Sequence, residues 1–300
     1  MRITLKRLDV LTLGAFALMV ILGGANSVAV RFSNSELPPF WGAAIRFIPA
    51  ALFFWVIVFA RRIPLPSGRA LVGVLLYGIL NFGASYAFFY WGVLRIQAGL
   101  AQVVIALVPL MTFFFAFAHG IEAFRWRGML GAVLAVGGIA LAFVEQPRTD
   151  LPLLSLLSLI AASACIAEAI IVVKGFPASN PFVTNALAMS TGAVMLLALS
   201  LMARESWHLP ALVKTWAAVL YLIIIGSVIL FYLFLFVVRR WTASATSYQF
   251  VLLPFVTVVV AAWLAGETVK LEFILGGALV LAGVWVGAVA QAAGKTMSRG

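Results

Sequence analysis

Charged side chains are scarce in this chain of 300 residues. Asp, Glu, Lys and Arg together make up 10% of it, and only 9 residues are acidic. A soluble globular domain carries about 25% charged residues, so an ordinary water-soluble protein is excluded. Hydrophobic residues take their place at 65%, and the mean hydropathy is +1.16. These values are typical of a protein that lies in a lipid bilayer.

Cysteine and histidine are nearly absent as well. Cys165 is the only cysteine and lies in an apolar run, which excludes an intrachain disulfide and a cysteine-ligated metal. His119 and His208 lie at the ends of apolar runs, and we expect neither to have a carboxylate or cysteine as a partner. No catalytic or metal-ligating pattern is present, so we predict neither an enzyme nor a cofactor.

Acidic residues are too few to balance the basic ones, and the net charge is +11. A nucleic-acid-binding domain gathers its basic residues into a stripe or patch. Here they stand singly or in pairs between apolar runs, which is the pattern of a membrane protein with basic cytoplasmic loops. We therefore predict a lipid bilayer as the surroundings and no nucleic-acid partner.

Ten apolar runs are present, each bounded by charged residues, proline or glycine. A helix needs about 20 residues to cross about 30 Å of hydrocarbon. A backbone group exposed to lipid would go unpaired, and barrel strands would alternate, so every run should be a helix. The prediction is an all-α integral membrane protein with ten transmembrane helices at about 10–30, 41–60, 70–92, 97–117, 126–144, 152–173, 182–203, 213–236, 243–263 and 272–292.

The first run follows three basic residues and ends at Ala25–Ala29, a pattern that resembles a cleavable signal peptide. Its removal would leave nine runs and would break the repeat described below. We therefore predict that it is the first transmembrane helix.

Lysine and arginine are distributed unequally between the connections. If the N-terminus lies inside, the inner segments hold 13 of these residues and the outer loops hold 6, while Arg46 lies within the second run. Loops rich in Lys and Arg stay in the cytoplasm. Both termini are therefore predicted to be cytoplasmic.

The second half of the chain repeats the first. Residues 95–138 align without a gap on residues 240–283, and 11 of the 44 positions are identical. This is more than apolar composition alone would give, so the repeat indicates a duplication. The identities include Arg95/Arg240, Pro109/Pro254, Thr112/Thr257, Glu122/Glu267 and Gly138/Gly283.

Five helices in each half is an odd number, so the second copy should enter the membrane from the opposite face. Inverted repeats are typical of secondary transporters, because two half-structures of similar energy can exchange roles. The predicted units are residues 1–147 and residues 148–300, although a structural scaffold can also arise by duplication.

Several motifs connect the chain with a known family. They are Gly23-Gly24-Ala25-Asn26 and Pro39 followed by Arg46-Phe47. In addition, the fourth and the ninth run each contain a proline in the middle, Pro109 and Pro254, and are followed by a glutamate, Glu122 and Glu267. In these motifs, and over nearly its whole length, the chain resembles the EamA-type drug/metabolite transporter superfamily. Within it, the chain looks most like the YddG-type bacterial exporters of aromatic amino acids.

The resemblance implies a multi-pass protein of the bacterial inner (plasma) membrane. It also implies a central cavity surrounded by helices 1, 3, 4, 6, 8 and 9, with parts of helices 2 and 7, and peripheral helices 5 and 10.

A solute path through lipid needs polar groups that face the interior of the helix bundle. Ser244, Ser247 and Tyr248 share one face of the ninth helix, and Gln102 lies on the matching face of the fourth. Three other helices supply Asn26, Tyr77, Asn81, Phe231 and Tyr232. Such a lining suits an apolar or aromatic solute with one polar end. Small and aromatic residues also serve helix packing or mark the membrane interface, so both interpretations stay open.

Glu168 is the only acidic residue well inside a predicted helix. A carboxylate at such a depth is costly, which favours proton relay or binding of a substrate amine, against a structural hydrogen bond or a neutral acid. Arg46 lies nearer the outer face, too far from Glu168 to pair with it, and its side chain could instead reach outward to the interface. Pro109 and Pro254 occupy matching positions and are gating-hinge candidates, although a static bend fits equally.

The leading hypothesis is therefore a transporter that exports amphipathic small molecules, in particular aromatic or hydrophobic amino acids, by alternating access. The alternatives are a drug or other metabolite exporter, a nucleotide-sugar or phosphate-sugar antiporter of the same superfamily, and a channel. A phosphate-sugar antiporter should place Lys or Arg deep in the cavity, and only Arg46 lies within a helix. Proton coupling, substrate exchange, the direction of net flux and the oligomeric state stay open.

Overall fold

The computed structural model describes residues 10–119, 126–142, 152–241, 246, 249–266 and 271–286. Within these ranges the chain forms helices joined by short connections, and no strand is present. The helices are α1 (Val10–Ser33), α2 (Pro39–Ala60), α3 (Gly68–Gly92), α4 (Ala98–Ala118), α5 (Trp126–Ala142), α6 (Leu153–Gly175), α7 (Pro181–Met202), α8 (Val213–Arg240), α9 (Gln249–Ala265) and α10 (Leu271–Val284).

Seven of these helices, α1 to α4 and α6 to α8, are long and apolar enough to cross a membrane. The other three have 17, 17 and 14 residues in the described ranges. Large apolar side chains project from the outside of the bundle, among them Val56, Phe59 and Val194. The predicted all-α membrane fold is confirmed at this level.

Four helices contain interruptions that the apolar runs do not reveal. α1 turns at Ala25, and α4 turns at Ala106 and Leu107, directly before the segment that contains Pro109. The other hinge candidate, Pro254, lies in uninterrupted helix. α3 and α8 each contain a π-helical segment, Gly78–Ala84 and Ile224–Ile229. Hydrogen bonds in a π-helix reach one residue further than in an α-helix, which leaves room for a backbone carbonyl to bind a side chain.

The helices pack in pairs that join the two halves of the chain. α2 lies along α7, and α5 lies along α10. α3 packs against α6 as α1 packs against α8, and α4 contacts α6 as α1 contacts α9. α4 and α9 also touch each other. The seven long helices and α9 therefore form one bundle, in which each half contributes to every contact named here.

Glycine permits the closest of these approaches. A Cβ on Gly24 of α1 would lie 2.4 Å from the Cβ of Val256 in α9. A Cβ on Gly138 of α5 would lie 2.6 Å from the carbonyl oxygen of Gly276 in α10. In the absence of a driving force from water, helices in lipid associate through such close backbone packing.

Candidate functional site

A central cavity lies between α1, α2, α3, α4, α6, α8 and α9. Its wall agrees with the helices implied by the resemblance, including α2, which contributes Arg46, except that α7 contributes none of the lining residues. The polar lining residues are Asn26, Ser27, Arg46, Asn81, Ser85, Tyr86, Gln102 and Gln249. The rest of the wall is apolar, with Phe89, Phe231, Phe234 and Phe250 as its rings.

Arg46 is fully buried at the wall of this cavity, and the interpretation that its side chain reaches outward was wrong. Its Nε donates to Ser227 Oγ at 2.7 Å, and its Nη2 donates to the carbonyl oxygen of Gly226 at 2.5 Å. The guanidinium carbon also lies 4.8 Å from the ring centre of Tyr86 and 5.0 Å from that of Phe47. A buried cation needs such hydrogen bonds and ring contacts. α8 supplies the hydrogen bonds, and α3 and α2 supply the rings of Tyr86 and Phe47.

The π-helical segment of α8 explains how the backbone can bind Arg46. Gly226 and Ser227 both lie in the segment Ile224–Ile229, where the wider turn exposes a carbonyl to a side chain. Ser227 Oγ in turn donates to the carbonyl oxygen of Leu222 at 2.8 Å. A Cβ at position 226 would lie 2.3 Å from Asn26 Oδ1 and 3.1 Å from Arg46 Nη2. The absence of a side chain at Gly226 therefore lets Asn26 and Arg46 converge.

Four buried polar atoms of the cavity residues have no hydrogen-bond partner in the protein. Two are donors, Arg46 Nη1 and Asn81 Nδ2, and two are acceptors, Asn26 Oδ1 and Gln102 Oε1. The other atom of the Gln102 amide, Nε2, donates to Ser27 Oγ. Because buried polar groups are nearly always paired, these four atoms are candidates to bind water or a ligand with both kinds of group.

No described carboxylate neutralises Arg46. The described acidic residues are absent from the cavity wall; they are Glu36, Glu168, Glu205 and Glu272. Arg46 is also the only charged side chain among the buried residues of the described ranges. The cavity therefore has a positive pole formed by one guanidinium.

Aromatic rings pack edge to face around the Arg46 guanidinium. Phe82 makes edge-to-face contacts with Phe47 and Phe231, with ring centres 5.2 and 4.6 Å apart. Tyr86 lies edge-on to Phe47 at 4.7 Å and to Phe231 at 6.3 Å. The wall thus combines a small polar region with a surface that suits an apolar or aromatic group.

The structure brings Asn26, Asn81, Gln102 and Phe231 together at the cavity, among the residues that the sequence pointed to. Tyr77 is fully buried at the start of the π-helical segment in α3, outside the lining. Tyr232 stacks on Phe182 of α7, with ring centres 5.2 Å apart, and is also outside the lining. Ser244, Ser247 and Tyr248 lie outside the described residues.

Glu168 does not line the cavity. Its carboxylate lies 2.8 Å from His119 Nε2, at the end of α4, and both side chains are partly exposed. The prediction that His119 has no carboxylate nearby was therefore wrong, because residues 49 positions apart in sequence meet where α4 packs on α6. Arg46 and Glu168 do not pair, as we expected from their different depths in the membrane.

Sequence reasoning placed Arg46 wrongly and missed Gln249. A count of residues along α2 gives the depth of the Arg46 backbone, whereas the long side chain reaches the interior of the bundle from there. Gln249 offered a signal, because it is an amide in an apolar run one residue after the predicted face of the ninth helix.

A second polar cluster lies where α2 begins and ties together the halves of the chain. The Glu205 carboxylate accepts hydrogen bonds from the backbone N–H groups of Phe40 and Trp41 at 3.2 and 2.8 Å, and from Ser200 Oγ at 2.7 Å. Trp41 stacks on Trp207, with ring centres 5.1 Å apart. We call these five residues the Glu205 clamp. It caps a helix of the first half from the connection between α7 and α8.

Comparison with known proteins gives matches along nearly the whole chain. A family model described as the EamA-like transporter family matches residues 10–144 and again residues 153–288. The uncharacterized inner membrane transporter YedA of Escherichia coli K12 is 29% identical over 282 residues, which cover 91% of this chain and 89% of the relative.

Two further matches are more distant. A probable terminal-alkyne amino-acid exporter of Streptantibioticus cattleyicolor is 28% identical over 228 residues, or 73% of each chain. A solved crystal structure superposes with a TM-score of 0.68 at 19% identity, covering 93% of this chain and 98% of its own, which supports the fold. Because the family model matches both halves, the protein belongs to the EamA-like transporter family of the drug/metabolite transporter superfamily, whose members are membrane transporters and not enzymes.

Proposed function

We propose that this transporter exports amphipathic metabolites, in particular aromatic or other hydrophobic amino acids, across the bacterial inner membrane. In this proposal ten helices cross the membrane as two inverted five-helix halves, residues 1–147 and 148–300. The halves exchange conformations and so open the central cavity to one side at a time. The turn in α4 ahead of Pro109 serves as a hinge, with Pro254 as its counterpart in α9.

Two observations support the duplication. The family model matches each half once. The π-helical segments of α3 and α8, Gly78–Ala84 and Ile224–Ile229, overlap when the chain is shifted by the 145 positions of the sequence repeat. Two copies of one ancestral half would share such an unusual helix geometry at matching positions.

The helix contacts support a two-fold relation between the halves. Exchange of each helix with its counterpart five places along the chain turns the α3–α6 contact into the α8–α1 contact. It also turns the α4–α6 contact into the α9–α1 contact, and it maps the α2–α7, α5–α10 and α4–α9 pairs onto themselves. A bundle with this property can adopt two states of similar energy.

The observation that carries the substrate class is the central cavity itself, in which one buried guanidinium and four amides adjoin aromatic rings. An amino acid with an apolar side chain has the same division into a small polar end and an apolar body. The printed description of one relative, a probable terminal-alkyne amino-acid exporter, supports the same class. The resemblance to the YddG-type exporters points to aromatic side chains.

The experiment is uptake of labelled phenylalanine and tryptophan by proteoliposomes that contain the purified protein. We expect saturable uptake above that of empty liposomes. Gln102→Ala should lower it about fivefold, because the substrate loses a hydrogen bond of about 1 kcal/mol to the unpartnered Gln102 Oε1.

Gln97→Ala is the matched control for this variant. Gln97 precedes α4, is exposed and makes no side-chain capping bond, so its loss should leave uptake unchanged. Uptake equal to that of empty liposomes for every amino acid tested would remove the substrate proposal, and equal uptake by the two variants would remove Gln102 from the site.

A phosphate-sugar antiporter is the second candidate, because the structure places Arg46 at the cavity wall. A phosphate dianion is usually held by more than one cation, whereas Arg46 is the only Lys or Arg in the described lining. Counterflow assays decide between them: a phosphate-sugar antiporter exchanges inorganic phosphate, and the proposed exporter exchanges labelled phenylalanine only for other amino acids.

Saturation of the same counterflow distinguishes alternating access from a channel, and a pH gradient across the liposome tests proton coupling.

A further inference from the structure

We infer that the central cavity recognises both charged ends of a zwitterionic α-amino acid. Arg46 Nη1 and Asn81 Nδ2 bind the carboxylate, and Asn26 Oδ1 and Gln102 Oε1 bind the ammonium group. The inference rests on the proposed function, since it takes the cavity as the substrate site. It adds the residues that hold each end and the classes of molecule that the site rejects.

Arg46 carries a positive charge that has no described carboxylate beside it. Two of its three nitrogens are occupied, since Nε binds Ser227 and Nη2 binds the carbonyl oxygen of Gly226. Nη1 is buried and unpartnered. A buried cation without a counter-ion is costly, and a carboxylate at Nη1 would remove that cost. The guanidinium is held at two points by α8 and is thus oriented before a ligand arrives.

Asn81 supplies the second donor. Its side chain is 6% exposed, and its Nδ2 has no partner in the protein. The residue lies in the middle of the π-helical segment of α3, where its own carbonyl oxygen accepts from Ser85 Oγ at 2.5 Å. The wall therefore offers two buried N–H donors from different helices, and a carboxylate has two oxygens to receive them.

The acceptors lie on α1 and α4. Asn26 Oδ1 lies next to Gly226, where Arg46 is also anchored, so an acceptor adjoins the positive pole. Gln102 donates its Nε2 to Ser27, the residue after Asn26, which leaves Oε1 unpartnered. An α-ammonium group is one carbon away from its carboxylate, so acceptors beside a carboxylate site are what a zwitterion requires.

This arrangement predicts an order of affinity among three ligands with the same ring: phenylalanine, 3-phenylpropanoate and phenethylamine. Phenylalanine satisfies all four atoms. 3-Phenylpropanoate neutralises Arg46 but leaves the two oxygens unpaired. Phenethylamine brings a second positive charge to a cavity whose described wall has no carboxylate, so it should bind most weakly. Loss of one charged hydrogen-bonding end should lower affinity at least tenfold.

The test measures the dissociation constants of these three ligands with the purified protein in nanodiscs. We expect the order given above for the wild type. Arg46→Gln should lower the affinity for phenylalanine at least tenfold and should bring it close to that for phenethylamine. Gln102→Glu should shift the preference the other way, because a carboxylate beside the ammonium site favours phenethylamine. Gln97→Glu adds the same charge outside the cavity and is the control.

Each outcome bears on a different claim. If the wild type binds none of the ligands, the proposed function fails and this inference fails with it. If the wild type binds phenylalanine and 3-phenylpropanoate or phenethylamine equally well, the function stands and zwitterion recognition is wrong. A folding defect in Arg46→Gln, seen as loss of a cooperative melt, leaves Gln102→Glu to decide. An unchanged ratio of the phenylalanine and phenethylamine constants in Gln102→Glu would then overturn the inference.

Discussion

At the scale of single residues, the absence of one side chain controls how two others meet. Gly226 lets Asn26 and Arg46 approach each other, and its carbonyl oxygen is one of the two anchors of the guanidinium. A glycine in a transmembrane helix is commonly explained by helix packing. Here the nearest atoms to its missing Cβ are polar atoms of the cavity residues, which connects this glycine with binding.

Gly226→Ala should therefore weaken the binding of phenylalanine about tenfold. An extra methyl group in a closely packed site costs about 1–3 kcal/mol, and a tenfold loss of affinity lies within that range. The added methyl group would lie 2.3 Å from Asn26 Oδ1, so Asn26 has to move. Binding is measured on the purified protein, with Gly14→Ala as the control, since nothing lies within 4 Å of a Cβ there. Equal affinities for the two variants would contradict this account of Gly226.

The site also shows which residues can be recognised from sequence. Asn26, Asn81 and Gln102 are amides within apolar runs, and the cost of a polar group in lipid is enough to direct them to an interior cavity. Arg46 could not be placed in this way, because its partners are Ser227 and a backbone carbonyl in a helix 180 positions away. Such a partner depends on tertiary packing and leaves no local pattern.

At the scale of helices, hydropathy located the helices well, but it did not show the turns and π-helical segments within them. α2 occupies Pro39–Ala60 where the run predicted 41–60, and α3 occupies Gly68–Gly92 where it predicted 70–92. The π-helical segments in α3 and α8 leave the run apolar and unbroken, so composition cannot show them. They are seen only in the backbone hydrogen bonding of the folded chain.

The start of α2 provides a prediction at this scale. Phe40 and Trp41 are among its first residues, whose N–H groups have no partner within the helix, and Glu205 accepts from both. Glu205→Ala should remove these bonds and the favourable charge at the helix N-terminus. We expect the free energy of unfolding to fall by about 1.5–3 kcal/mol, the range for hydrogen bonds to a charged group.

Thermal melting in detergent measures this change. Ser206→Ala lies in the same connection but breaks only a 3.3 Å contact with His208, so it should melt like the wild type. Equal melting temperatures for the two variants would show that the Glu205 clamp does not stabilise the bundle.

At the scale of the whole molecule, the membrane topology decides whether the two halves can be inverted. The connection between α2 and α3 contains Arg61 and Arg62, and positive loops stay in the cytoplasm. The connection between α7 and α8 contains the acidic clamp residue Glu205. Five helices, α3 to α7, separate the two connections. If all five cross the membrane, the connections lie on opposite sides, and the two copies of the repeat are inverted.

Cysteine labelling tests this topology, because the chain has one native cysteine, Cys165, which Cys165→Ser removes. In that background, Leu65→Cys and Ser206→Cys each place one thiol in an exposed position of the two connections. A membrane-impermeant maleimide should label Ser206→Cys in spheroplasts, and should label Leu65→Cys only after the inner membrane is permeabilised. Labelling of both in spheroplasts would mean an even number of crossings between them. One helix would then fail to cross, and the inverted arrangement of the halves would be wrong. The first candidate is α5, which has 17 residues in the described ranges.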